Sequence, residues 1–447
     1  MSLPCLISLP AKVLDSISRA LPSEDLFALR QTCRCVAEKT SWTFHRRFFH
    51  TRYVMLEKQS LLNLIAISRH SVLRQAVQAV ELCVDHLIKP EYYIDREELR
   101  HCRVYDDYNV IQRYKEEPML EGDDGWESVR RGGYIEAWHN QAEFFREKPH
   151  HSLLAEAFSN LTNCRRVGVQ DTTRPWGAFR LGRRIGTLPS QFVSQSLPNS
   201  ITHALVVIRT LFYAAVQSRH PIEEIYIEFG ELMTGCTAAT PRMLSLPAML
   251  AQAVRAWLQT VTRLSLIVNP TPGANDLTPS VRRRLPHTDP ARTEASHWSA
   301  ELLGFIGLFS TLSDLSLSFY PRDGGRQFQT LSKRLHIPTL RSLRLEYLDC
   351  GPRELTTLLE RHKTTLRAVR LKSVCFTKGY TTSWSTLTER IQQNTLVETF
   401  SIEKCFVDDL EGKRIITLLD LLFAETRQDL CSLVAAIRQA EDESSEG

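Results

Sequence analysis

Four groups of residues in this 447-residue chain could do chemistry, and each lacks the partners its chemistry needs. Cys33-x-Cys35 offers two thiolates to a metal, but no second ligand pair stands at zinc spacing. The two cysteines are therefore expected on different sides of a helical segment. His150 and His151 precede a helical pattern and have no nearby partner to complete a metal site. The stretch LGRRIG (residues 181–186) carries two glycines without the strand before and helix after that a phosphate-cradling loop needs, so it reads as a plain loop. Scattered Ser, His and Asp show no spacing that supports a nucleophilic triad. The patterns GxxxxGK(S/T), GxGxxG, HExxH and GxSxG are absent. No catalytic residue, metal or cofactor is expected, and a hydrolase or transferase is the least favoured class.

The bulk composition is that of an ordinary folded soluble protein. Apolar residues make up 43% of the chain and charged residues 24%, ordinary values for a folded protein with a sizeable core. A net charge of +4 is too balanced to imply nucleic acid or a membrane as partner. The basic run Arg282–Arg283–Arg284 lies among prolines and polar residues and reads as a solvated loop. The longest apolar stretch, ALVVIRTLFYAAV, is broken by Arg209 and reads as a core helix rather than a span. No basic-then-apolar leader opens the chain. The eleven cysteines fall mostly inside apolar runs, as Cys83, Cys375 and Cys405 do, which suits free buried thiols in the cytoplasm or nucleus.

The positional signal lies in the body. Apolar residues at i, i+3 and i+5 recur eight times. The copies are Val77/Val80/Leu82, Cys164/Val167/Val169, Ile222/Ile225/Ile227, Val261/Leu264/Leu266, Leu312/Leu315/Leu317, Leu340/Leu343/Leu345, Leu366/Val369/Leu371 and Val397/Phe400/Ile402. Each follows a helical pattern. The last four, centred on Leu315, Leu343, Val369 and Phe400, are 28, 26 and 31 residues apart, close to a leucine-rich repeat. Earlier copies are spread by insertions. The expectation is an α/β fold: an irregular leucine-rich-repeat-like solenoid over residues 55–440, in which stacked units bury what one unit cannot. A conventional α/β domain is the alternative.

Residues between the apolar positions should then share one inner face. Tyr226, Glu228, Arg344, Glu346, Arg370, Lys372 and Glu403 are the candidates for holding a protein substrate, exposed and adjacent from unit to unit. Residues 90–150 break the frame. They read as a charged, Tyr- and Trp-bearing insertion with helices near 95–115 and 134–148 and a loop over 122–133. That insertion is either a surface addition or a recognition element. Residues 269–297 read as a long loop, the segment around Ile416, Leu419, Leu422, Leu430, Leu433 and Ile437 as a closing helical cap, and 441–447 as a solvated acidic tail.

The opening residues 3–48 form a separate helical module. Pro10 suits a first helical position, with Ser8 near the cap, and Val13, Leu14, Ile17 and Leu21 form one stripe. Pro22 ends that helix and Ser23 caps the next, whose face is Leu26, Leu29 and Cys33; a third helix runs through Val36, Ala37, Thr40 and Phe44. So small a unit lacks a comfortable core of its own and needs a partner.

The stretch LPAKVLDSISRALPSEDLFALRQTCRCV resembles an F-box, by Leu9-Pro10, Val13/Leu14/Ile17, Leu21-Pro22, Asp25-Leu26, Leu29-Arg30 and Cys33-Arg34. Lys12-Val13 stands where the family commonly has Glu-Ile or Glu-Leu. The continuation through FFHTRYVMLEKQSLLNLIAISRH and LLAEAFSNLTNCRRVGVQD more loosely resembles large F-box proteins of filamentous fungi. The resemblance implies docking on a Skp-family adaptor of an SCF (cullin–RING) ubiquitin ligase, with the body capturing a substrate and the chemistry left to other subunits. The implied adaptor contacts are Leu9, Pro10, Leu14, Ile17, Leu21, Pro22 and Leu26. The rival is a scaffold that holds the adaptor, or another protein, without delivering a substrate.

Overall fold

A computed structural model describes residues 6–90, 124–191, 193–194, 199–230, 236–269, 298–324, 328–376, 384–408, 414–415, 422–424 and 427–445. The fold is mixed α/β. Its strands are β1 (Thr51–Met55), β2 (Ala79–Cys83), β3 (Arg166–Gln170), β4 (Glu224–Glu228), β5 (Arg263–Val268), β6 (Asp314–Gly324), β7 (Ser342–Cys350), β8 (Ala368–Lys372), β9 (Cys375–Phe376), β10 (Thr399–Glu403), β11 (Phe406–Asp408), β12 (Arg414–Ile415) and β13 (Leu422–Ala424). They form one sheet. From β1 to β8 each strand lies parallel beside its predecessor in the chain, β10 lies parallel beside β8, and β13 closes the path antiparallel to β10.

The register explains why these residues are strands. Val80, Val167, Ile225, Leu264, Leu315, Leu343, Val369 and Phe400 form one cross-strand row, and Leu82, Val169, Ile227, Leu266, Leu317, Leu345, Leu371 and Ile402 a second. Both rows are at most 2% exposed. All eight apolar frames therefore stack in phase, with the first member of each frame also buried, and side chains two apart share the core face. Fully burying each such side chain contributes about 1.5–3 kcal/mol. β1 carries no frame, because Arg52 occupies the position of the first row. It joins the sheet through Val54, register partner of Leu82.

Helices cover the apolar face. They include α5 (Lys58–Arg69), α8 (Pro149–Asn160), α10 (Ser200–Ser218), α12 (Ala248–Trp257), α15 (Pro352–Arg361) and α16 (Trp384–Asn394). Among the described residues α10 alone is long and apolar enough to cross a membrane, but Ala204, Val207, Ile208, Leu211 and Phe212 bury it in the core, as expected. Two further helices form an accessory layer. These are α7 (Asp124–Glu147) and α9 (Trp176–Ile185), which pack together over Met55 and Leu87.

Several local expectations are corrected. Residues 124–133 are helical rather than loop, because α7 runs unbroken from Asp124 through Gly132 and Gly133. LGRRIG is the second half of α9, ended by Gly186 in the left-handed conformation at φ 77°. Leu422 belongs to β13 rather than to a helix. A strand there satisfies the polar backbone edge that β10 would otherwise expose. The cap helix α17 begins at Arg427, buries Leu430, Leu433 and Ile437, and carries the acidic stretch on to Ser445. Residues 95–115, Arg282–Arg283–Arg284, Ile416 and Leu419 lie outside the described residues.

One repeated strained turn has no signature in residue type. Tyr347, Ser373 and Lys404 hold φ of 54°, 52° and 52°, each one residue past the stacked row Glu346–Lys372–Glu403. A non-glycine residue there costs about 1–2 kcal/mol. The turn directs the chain into a second short ladder, Asp349–Cys375 and Cys350–Phe376, continued by Phe406 and Val407. Phe376 then stacks on Trp384 at 4.0 Å, and both rings are buried.

Candidate interaction surfaces

The N-terminal module consists of α1 (Ala11–Ala20), α2 (Ser23–Thr32), α3 (Arg34–Lys39) and α4 (Ser41–Phe49). Pro10 and Pro22 each occupy the N-cap position, one residue before the first turn, and neither helix start has a side-chain cap bond. The expected third helix is two, divided at Thr40, whose hydroxyl donates back to the Val36 carbonyl at 2.8 Å. Polar groups tie the module together. Arg30 donates to the Ala37 carbonyl at 2.7 Å and to Thr40 Oγ1 at 3.0 Å; Lys39 Nζ donates to the carbonyls of Ile7 and Leu9 at 2.7 and 2.9 Å. The module is continuous with the body, since α4 leads through His50 into β1 and the His50 carbonyl accepts from Gln78 and Ala79.

The expected adaptor contacts divide into two sets. Leu14 and Leu26 are fully buried and, with Val36, are the module's own core. Pro10 and Pro22 are exposed, Leu9 and Leu21 half-buried, and Ile17 exposed. Val13, four residues before Ile17 and on the same helical face, is exposed as well. Sequence reasoning left out Phe27, which packs its ring 4.9 Å from Phe48, and Trp42, which Arg19 and Arg46 cover at 4.8 and 5.1 Å. Only the aromatic and basic composition around residues 42–49 hinted at them. Val13, Ile17, Phe27 and Trp42 are 39–51% exposed.

The second surface is the sheet face away from the covering helices. The row Glu81, Gly168, Tyr226, Ser265, Ser316, Arg344, Arg370, Ser401 crosses it. The row Ser318, Glu346, Lys372, Glu403 runs beside it. The seven candidate residues thus occupy one face, Arg344 next to Arg370 and Glu346 next to Lys372. Most charges are paired: Glu224 with Arg166 at 3.1 Å and Arg263 at 2.8 Å, Arg344 with Glu346 at 2.5 Å, and Lys372 with Glu403 at 3.3 Å. The Glu403 carboxylate raises the Lys372 pKa through its hydrogen bond. Arg370 makes no ion pair among the described residues. A depression of about 170 Å³ lies here, lined by Ser265, Ser316, Ser342, Arg263, Arg344 and Arg370 with Glu224 and Asp314.

Tyr226 departs from expectation. It is buried, because its ring lies flat over Gly168 on the neighbouring strand. A Cβ on Gly168 would sit 2.2 Å from Tyr226 Cε2. Burial raises the pKa of Tyr226, and it also raises that of Glu81, where the Tyr226 hydroxyl and Arg166 pull the other way. Gly168→Ala therefore lifts the ring from the sheet and costs about 1–3 kcal/mol as overpacking. Chemical denaturation should show that loss shrinking in the Gly168→Ala/Tyr226→Ala double variant. Additive losses would show that the two positions do not touch.

Among the described residues no three His, Cys, Asp or Glu side chains are grouped to hold a metal ion. Cys33 and Cys35 are free and half-buried. His150 is buried against Phe144 at 5.5 Å, and His151 stacks on Tyr213 at 4.7 Å. The protein matches no protein-family model, and no curated protein is significantly similar to it. What the residues define is a mixed α/β protein with two candidate contact surfaces, a partly exposed apolar face on the N-terminal module and a polar sheet face.

Proposed function

We propose that the protein is the substrate-recognition subunit of an SCF ubiquitin ligase. The N-terminal module is an F-box that docks on a Skp-family adaptor. The body is an irregular leucine-rich-repeat-like solenoid whose polar sheet face captures the protein to be ubiquitinated. One observation carries the reading: a module whose fully buried apolar core is little more than Leu14, Leu26 and Val36 leaves Val13, Ile17, Phe27 and Trp42 open to solvent. Exposed aromatic and branched side chains on so small a unit fit a partner surface. Strand order and the in-phase rows support the solenoid. The adaptor contacts in this reading are Leu9, Pro10, Val13, Ile17, Leu21 and Pro22, while Leu14 and Leu26 act only by holding the helices together.

Co-expression with a Skp-family adaptor and cullin tests it. The adaptor should co-elute with the wild-type chain, and the reconstituted ligase should transfer ubiquitin to a co-purified protein. Failure to retain the adaptor would overturn the F-box assignment. Retention without transfer to any captured protein would favour the scaffold.

A further inference from the structure

Helix α9 is an addition to the strand–helix alternation, because α10 already joins β3 to β4. Its sequence WGAFRLGRRI has two sides of different character. Gly177, Ala178, Leu181, Gly182 and Ile185 face inward. The glycines let the helix approach closely: a Cβ at Gly177 would lie 2.8 Å from Ser60 Oγ, and one at Gly182 would lie 2.7 Å from Leu188 Cδ2. The outward side carries Trp176, Phe179, Arg180, Arg183 and Arg184, at helical spacings that place them side by side.

Three features of that face point to a ligand. Trp176 is 59% exposed, and Phe179 is exposed beside it. The helix contains no acidic residue, and Arg180, Arg183 and Arg184 form no ion pair or hydrogen bond among the described residues. Arg180 lies 6.0 Å from the Trp176 ring. Guanidinium groups match carboxylates in paired geometry, and Trp, Phe and Arg are the residue types that anchor protein interfaces.

We infer that the outer face of α9 is a docking site for an acidic peptide segment of a protein partner, its carboxylates on Arg180, Arg183 and Arg184 and an apolar side chain against Trp176 and Phe179. A membrane fits poorly. The apolar side of α9 is spent on the protein interior, which leaves too little area to insert into lipid. A nucleic-acid strand fits poorly too, because the three guanidinium groups sit within five residues of one ten-residue helix and match a short run of carboxylates rather than the extended basic stripe that tracks a phosphate backbone. This surface is separate from the polar sheet face and does not depend on the ligase reading.

The test uses the full chain and a short fluorescein-labelled peptide of Asp and Glu with one central Phe, in about 150 mM salt, where unspecific attraction is screened. The wild type should bind it, and Arg180→Glu/Arg183→Glu/Arg184→Glu should lose at least about tenfold in affinity. Trp176→Ala should lose severalfold with the same melting temperature, since its ring is exposed. A peptide without Phe should bind more weakly to the wild type and equally to Trp176→Ala. Equal binding by wild type and the charge-reversed variant overturns the site. Tighter binding of oligothymidylate, or of vesicles with phosphatidylserine, through the same arginines assigns the face to another partner and overturns it as well.

Discussion

Under the proposed F-box reading, replacing Val13 and Ile17 together by Asp should abolish retention of a Skp-family adaptor while leaving the protein folded. Val13 is 43% and Ile17 39% exposed on α1, so the change removes far less of the module's packing than a substitution at the fully buried Leu14. Two charges placed in the centre of an apolar interface must be desolvated without partners. Anchors of this kind cost about 2 kcal/mol or more each, and at about 1.4 kcal/mol per decade the pair exceeds about a hundredfold if additive. Leu9→Ala/Pro10→Ala should act in the same direction. Leu14→Ala makes the necessary contrast. It empties a site in the module's core, costs about 2–5 kcal/mol of stability, and loses the adaptor because the helices no longer hold. Co-purification alongside circular dichroism separates the two cases. Full adaptor retention by the folded Val13→Asp/Ile17→Asp protein would place the contact elsewhere.

Acidification should destabilise the body steeply between about pH 6.5 and pH 4. His86 stacks on His203 at 4.8 Å, and His203 packs 5.3 Å from Phe145, which in turn lies 5.5 Å from His150. Burial pushes the pKa of His86 and of His150 down to about 4, and that of His203 well below its usual value. The His86 ring also meets the Val84 carbonyl at 2.9 Å, Lys148 disfavours a charge on His150, and Arg174 approaches the buried Asp85 to 3.6 Å.

The unfolded chain takes up protons at these histidines near pH 6.5, and the folded chain resists until about pH 4. Their contribution is therefore complete above about pH 6.5 and is lost as pH falls, roughly 3 kcal/mol for the deeply buried His86. Asp85 works in the opposite sense. Burial raises its carboxyl to about 7, so its contribution is complete below the unfolded value of 3.8 and is lost as pH rises through 7. Urea titrations across this range should show a fall in stability toward pH 4. His86→Gln/His203→Gln should flatten it, and Asp85→Asn should be more stable than wild type at pH 8 and steeper in acid. A flat wild-type profile, or a slope the histidine variant leaves unchanged, refutes this assignment.

The sequence alone determined eight of the strands, β2 to β8 and β10, and their faces. A frame such as Leu343/Leu345 must bury alternate side chains wherever its strand lies, because neighbouring residues point to opposite sides of a pleat. The phase of eight frames could therefore be read without coordinates, and so could the face that carries Arg344, Arg370 and Lys372. The module's helix breaks were legible at Pro10 and Pro22, since proline limits where a helix can start.

Tertiary structure decided everything that depends on which element lies opposite. Val13 and Leu14 are adjacent, both apolar and both near the helix stripe. Only the placement of α3 and α4 makes Leu14 core and Val13 surface. Tyr226 reads as an exposed position between two apolar ones, and only the missing side chain of Gly168 on the next strand lets it lie down and be buried. Leu422 fits a helical period, but an unpaired strand edge beside it satisfies more backbone hydrogen bonds as a strand. His86, His150 and His203 are far apart in the chain, and no local pattern shows that folding gathers them, with Phe145, in one buried cluster. Alternation is a property of neighbours along the backbone; burial of one ring by another is a property of distance in space, which spacing along a single chain does not encode.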